Sequence, residues 1–265
     1  MGRVSTAGER PRRRSRGSGK TATKGSNALA TPTPRGEETR TRIVETALRL
    51  FRERGYDETT MRLIAEEAGV ALGNAYYYFR SKDHLIQEYY ARSHEEHERA
   101  SEPALSTETD FKKRLRAVMH ARVDVSEPYH RFAAALFRTA ADPENPLSPF
   151  NEASRPVRER STALLARVVD GSKLKVPDDL RAELPRLLWL YEMGIVLFWI
   201  YDRSPERRRT RRLVDRSVDL VARLVALASN PLLRPVRRAA LRMVKEVEGE
   251  VGGDGPDADD ADTGD

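Results

Sequence analysis

Side chains able to do chemistry are spread through these 265 residues, and most fall in patterns too weak for catalysis. There is no cysteine, which excludes disulfides, thiolate metal sites and thiol nucleophiles. Gly19-Lys20-Thr21 ends like a phosphate-binding loop, but Arg14 stands where an earlier glycine is needed and no strand precedes it. His94 and His97 have helical spacing for a shared metal, yet they lie among Glu95, Glu96 and Glu98, the pattern of a solvated face. Glu66–Glu67 reads as surface charge, and no Ser/His/Asp set stands out. No catalytic residue, metal site or cofactor is expected. The informative stretch is 59–85, TTMRLIAEEAGVALGNAYYYFRSKDHL, where Thr60, Arg62, Asn74, Tyr76, Tyr78 and Lys82 supply hydrogen-bonding and cationic groups.

The elements that must position these groups are short helices. Thr59 and Thr60 offer hydroxyl N-caps for a helix from Met61 to Ala68, which Gly69 ends. A second runs from about Leu72 to Tyr78, and Ser81 caps a further one with Asp83 in its first turn, where the helix dipole favours a carboxylate. Ala65, four residues before Gly69, is small enough for a close helix crossing, and Gly69 can take the positive φ of the turn. Ile64, Val70 and Ala75 would pack the unit from inside. This is the requirement of a helix-turn-helix, whose second helix is held outward with its first residues facing a DNA major groove. Upstream, Ile43, Ala47, Leu50 and Phe51 share one helical face, with Gly55 as the stop.

The stretch resembles the DNA-binding domain of the tetracycline-repressor family of bacterial regulators. The matching elements are Phe51/Gly55/Tyr56, Thr59/Thr60, Ile64/Ala65/Ala68/Gly69/Val70, Gly73, Tyr76/Tyr78/Phe79 and Ser81/Lys82/Leu85. They cover roughly residues 37–90, about a fifth of the chain. The sequence departs from the pattern at Ala71, Asn74 and Ala75, where the family often has Ser, Thr and Leu. Ala71 cannot cap the second helix, a loss of roughly 0.5–2 kcal/mol of local stability.

The resemblance implies roles. Lys82 binds a phosphate near a helix N-terminus. Thr60 caps and contacts phosphate. Tyr76 or Tyr78 donates its hydroxyl to phosphate while the other packs, Tyr76 being the preferred contact. Leu72, Gly73 and Asn74 open the recognition helix, where Asn74 can pair with adenine and Leu72 can meet a thymine methyl. Arg62 reads guanine, anchors backbone, or is a solvated charge.

The rest of the chain reads as helical, with spans near 108–124, 128–141, 150–171, 178–202, 205–228 and 231–247. Pro156 and Pro185 mark a later start or a kink. A break at Ser101–Pro103 divides a small N-terminal unit from a larger one. Residues 1–36 carry nine Lys/Arg against one Glu, and 246–265 carry nine Asp/Glu and no Lys/Arg. Both ends are too polar to order themselves. The net charge of +6 therefore rests on the folded part, a weak pointer to a polyanionic partner. The longest apolar run, Leu187 to Tyr201, is interrupted by Glu192 and Gly194 and falls short of the roughly 20 residues of a bilayer span.

The expected architecture is all-α. A basic arm (1–36) precedes a three-helix helix-turn-helix domain (37–90), a larger helical effector-binding and dimerisation domain (91–248) and an acidic tail (249–265). Leu187, Leu190, Gly194, Leu197 and Tyr201 recur on one face of the 178–202 helix. Val214, Val218, Val221 and Val225, widened by Leu220, Leu224 and Leu227, do so on the next, as dimer interface, internal core or both. His120, His130, Phe132, Phe137, Trp189 and Trp199 are candidates for an effector pocket. Glu192, a carboxylate in an apolar run, pairs with an arginine or meets a ligand. The expected function is a cytoplasmic, nucleoid-associated homodimer on a palindromic operator, a repressor released by a small molecule. The alternatives are an effector-independent architectural DNA binder and a helical enzyme.

Overall fold

A computed structural model describes residues 34–251; most of the expected basic arm (1–36) and acidic tail (249–265) lies outside the described residues, but their inner ends, 34–36 and 249–251, are helical and belong to the first and last helices. The described residues form ten α-helices and no strand. α1 (Pro34–Arg54) buries Ile43, Val44, Ala47, Leu50 and Phe51 and stops at Gly55, whose φ of 89° lies in the left-handed region. α2 (Met61–Glu67) starts as expected, with the Thr60 hydroxyl accepting the Leu63 N–H at 3.1 Å. Its end is a glycine-closed turn: Gly69 (φ 64°) donates to Glu66 O at 3.1 Å and Val70 to Ala65 O at 2.9 Å. α3 (Leu72–Tyr78) follows without a side-chain cap at Ala71. Ser81 also makes no cap bond to the next helix, although it sits in the cap position.

α4 (Lys82–Thr107) corrects the expected break at Ser101–Pro103, and it also runs through the residue-90 boundary. Pro103 lacks only the N–H of one late turn, and packing of α4 along α5 (Phe111–Ser126) overrides that loss. α6 (His130–Ala140), α7 (Arg155–Asp170), α8 (Asp178–Tyr201), α9 (Arg208–Ala228) and α10 (Arg234–Val251) complete the fold. Pro156 stands in the first turn of α7 and delays its start; Pro185 lies inside α8, which continues through it. Short 3-10 turns precede α6, α7, α9 and α10. In the turn before α9, Glu206 and Arg207 take left-handed backbone, held by the buried Asp202 carboxylate, which accepts from Ser204 N and from both Thr210 N and Oγ1.

Two cores result. The first joins α1–α4 but is closed by Phe132, Leu136, Ala140 and Leu147 from the larger unit. The second packs α5, α7, α8 and α9 around Leu115, Met119, Leu165, Leu188 and Val214. By length and composition α8 matches a membrane-crossing helix, more than the interrupted 187–201 run had implied. Here it is a helix of the second core and carries the buried Glu192 carboxyl.

Candidate functional site

The first site is the outer face of α3. Ala75 is fully buried and Tyr78 and Leu72 pack half-buried against the first core, so the opposite face of the helix points outward. That face presents Gly73, Asn74, Tyr76 (48% exposed) and Tyr77 (80% exposed). Thr60 and Arg62 of the preceding segment are exposed as well. A Cβ on Gly73 would meet nothing within 4 Å, so the protein's own packing does not require glycine there. The division between an outward Tyr76 and an inward Tyr78 follows the helical phase. Tyr77, missed from the sequence, was legible in the same phase: it lies four residues beyond Gly73 and three beyond Asn74.

Lys82 opens α4, four residues after the end of α3. Its ammonium donates to Tyr56 O at 2.8 Å and lies 4.0 Å from the Tyr56 ring centroid. Burial lowers its pKa from the usual lysine value, while Asp57 and Asp83 oppose that shift. The Tyr56 hydroxyl donates to Asp83 at 2.6 Å, and burial followed by this bond raises the phenol pKa. Arg40 holds Glu88 through two hydrogen bonds of 3.2 and 2.6 Å, and Arg49 reaches Glu67 at 2.7 Å. These pairs fasten α1 to α4 and to α2.

The second site is a cavity of about 170 Å³ among α4–α8. Phe137, Trp189 and Trp199 line it as expected. Four other candidates do not. His120 pairs with Asp215 at 2.9 Å on the outer face between α5 and α9. His130 stands behind Trp199, edge to its ring, with Nε2 2.8 Å from its carbonyl. Phe132 is turned into the first core, stacked on Phe51 at 5.1 Å with an 8° interplanar angle. Glu192 is 1% exposed and behind the wall, with Oε1 3.7 Å from Arg122 Nε and 3.8 Å from His97 Nδ1. Burial pushes its carboxyl up, and Arg122 opposes that shift. Burial and then the Arg122 charge lower His97 to about 2, leaving a neutral ring whose Nε2–H donates to Val118 O at 2.9 Å. Arg122 itself lines the cavity and was missed. The available signal was a guanidinium in helical phase with buried Val118 and Met119.

Aromatic contacts connect the cavity to the first core. Tyr89 lines the cavity and contacts Phe132 edge-on at 5.3 Å and Tyr129 at 4.8 Å, while Phe132 stacks on Phe51 of α1. A second, polar cavity of about 130 Å³ between α1 and α4 is also lined by Tyr89 and Ser93. Elsewhere, α8 exposes Leu197, Phe198 and Tyr201, and α9 exposes Leu220, Leu224 and Leu227. Val214, Val218 and Val225 turn inward, so the two stripes that look continuous in sequence face different ways.

Known proteins resemble the chain in both parts. Residues 43–89 match the family model of bacterial regulatory proteins of the tetR family, and residues 114–246 match that of the tetracyclin repressor-like C-terminal domain. The HTH-type transcriptional regulator TtgR of Pseudomonas putida is 45% identical over 69 residues, 25% of this chain and 33% of that protein. The HTH-type transcriptional repressor KstR of Rhodococcus jostii is 44% identical over 59 residues, 22% of this chain and 28% of that protein. The chain thus matches about a third of the length of these curated relatives. A TetR-family regulator from Syntrophomonas wolfei superposes with a TM-score of 0.54 at 18% identity, over 70% of this chain and 95% of that one. A TetR regulator from Nitrosomonas europaea gives 0.54 at 19%, over 70% and 98%.

Proposed function

The chain belongs to the tetracycline-repressor family of bacterial regulatory proteins, and on that premise we propose that it is a homodimeric, sequence-specific DNA-binding transcriptional repressor released by a small molecule. The observation that carries this reading is the outward face of α3, held rigidly by the buried Ala75 and by the glycine-closed turn at Gly69. Asn74 and Tyr77 face base edges, and Gly73 lets the helix backbone approach the groove. Thr60, Tyr76 and Lys82 contact phosphates, with Arg62 on backbone or guanine. Leu72 and Tyr78 mainly support the helix from within. Lys82 keeps donors free beyond its bond to Tyr56 O, so a phosphate adds to that contact without breaking it.

The exposed leucines of α9 and the apolar end of α8 suit a four-helix interface between two copies. Such a dimer sets two α3 helices about one DNA turn apart on a palindromic site. The cavity is the effector site, and the contacts from Tyr89 through Phe132 to Phe51 join it to α1. An effector acts only through its different affinity for the two arrangements of the DNA-binding heads. A cytoplasmic protein, working at the nucleoid, fits this role. Selection of bound duplexes from a random pool tests it. A recovered palindrome supports the reading. Binding without a motif points to an architectural protein, and absence of binding overturns the DNA-reading role.

A further inference from the structure

The cavity's lining is unequal in charge. Its apolar walls come from Leu136, Phe137, Trp189, Met193, Val196 and Trp199, while among the described lining residues the charged groups are two guanidiniums, Arg122 and Arg158, with no Asp or Glu. Arg158 ties α7 to the preceding loop, its Nη1 donating to Pro149 O at 2.8 Å and Asn151 O at 3.1 Å. Arg122 also bonds through one nitrogen but, unlike Arg158, has a buried nitrogen with no hydrogen-bond partner. Only its Nη2 has partners among the described residues, the Ser93 carbonyl at 3.0 Å and hydroxyl at 2.9 Å, and its buried Nε has none. The nearest carboxylate, Glu192, stands 3.7 Å from that Nε, beyond hydrogen-bond length, and one of its own oxygens is buried without a partner. Burial raises the Glu192 carboxyl while Arg122 opposes that shift, and at 3.7 Å the two make no hydrogen bond. A guanidinium at an apolar wall favours an anion, and guanidinium geometry matches carboxylate.

We infer that the cavity binds an amphipathic carboxylate, with an aryl or short alkyl body against Trp189 and Trp199 and its carboxylate on Arg122. This rests on the reading of the cavity as the effector site. The size agrees: about 170 Å³ compares with a cavity of roughly 150 Å³ that holds one benzene. A cationic ligand would face both guanidiniums, and Glu192, the carboxylate 3.7 Å from Arg122, stands behind the wall. Ser126, one turn beyond Arg122 on α5, also lines the cavity and can complete the carboxylate's hydrogen bonds.

The two tryptophans of the chain both line this cavity, so indole fluorescence of the full-length protein reports occupancy directly. The probes are benzoate, benzamide and benzylamine, titrated at fixed salt. The expected result is saturable quenching by the carboxylate, at least about tenfold tighter than by the amide, as one charge-assisted hydrogen bond gives, and tighter still than by the amine. Arg122→Met removes that preference and leaves amide affinity in place. Because that variant strands Glu192 and can unfold, Arg122→Lys and Arg158→Met are measured beside it. The first keeps a reduced preference, and the second keeps it in full. Amide or amine binding as tightly as carboxylate, no saturable change with any probe, or loss of the preference in Arg158→Met alone overturns the inference. DNA anisotropy on the same samples separates the two readings. Carboxylate-selective binding that leaves DNA bound supports the ligand class and refutes the effector role.

Discussion

Phe51 and Phe132 offer the sharpest test of how the two halves of the molecule are joined. Both are fully buried, stacked at 5.1 Å and nearly parallel, although one lies on α1 and the other on α6. Phe51→Leu and Phe132→Leu each keep most of the side-chain volume. Each is expected to cost about 1–2 kcal/mol, between a conservative exchange and a truncation. The ring pair itself contributes about 0.5–1.5 kcal/mol beyond area burial. The double variant is therefore expected to be less destabilised than the sum of the singles by about that amount. The assay is urea unfolding of the four proteins at one protomer concentration, since dimerisation shifts apparent stability by mass action. Amide hydrogen exchange along α1 supplies a second readout and is expected to accelerate in Phe132→Leu. Additivity to within about 0.3 kcal/mol, with α1 exchange unchanged, would refute direct coupling of α6 to the DNA-binding head.

Four further outcomes are expected. Gly73→Ala should raise stability to denaturant by about 0.5–1 kcal/mol while weakening operator binding; unchanged binding would show that close backbone approach is not used. Thr60→Ala should cost about 1 kcal/mol through loss of the cap to Leu63 N, with Thr60→Ser recovering most of it, as thermal unfolding will show. Lys82→Ala should weaken binding to every DNA sequence and reduce the slope of log affinity against log salt by about one, whereas a changed base preference would contradict a phosphate role. His97 is held neutral, its pKa lowered from the usual 6.5 to about 2, so the unfolded chain binds the extra proton below pH 6.5 and stability falls with pH there. Relative to wild type, His97→Gln should flatten that fall by up to about 1.4 kcal/mol per pH unit between pH 6.5 and 4.5, read by urea unfolding; parallel curves would refute it.

Features decided within a few residues were legible in the sequence. The Thr60 cap, the left-handed Gly69, the buried Ala75 and the outward Tyr76 follow from helical phase, local hydrogen bonding and backbone sterics, which act over one or two turns. The DNA-binding head could be outlined for the same reason. Tertiary packing decided what local rules could not. Pro103 does not end α4, because contacts along the helix outweigh one missing donor. Phe132 reads as a pocket residue by type, yet α6 turns it onto Phe51, so the first core is completed by a residue from the other half of the chain. The valines of α9 face inward and its leucines outward, which depends on how the helix is rotated against α5 and α8. Arg122 became part of the cavity wall and Glu192 its backing by the same means. A helix's periodicity defines its faces, but only the neighbours it meets in space determine which face is buried, which lines a cavity and which is left for a partner.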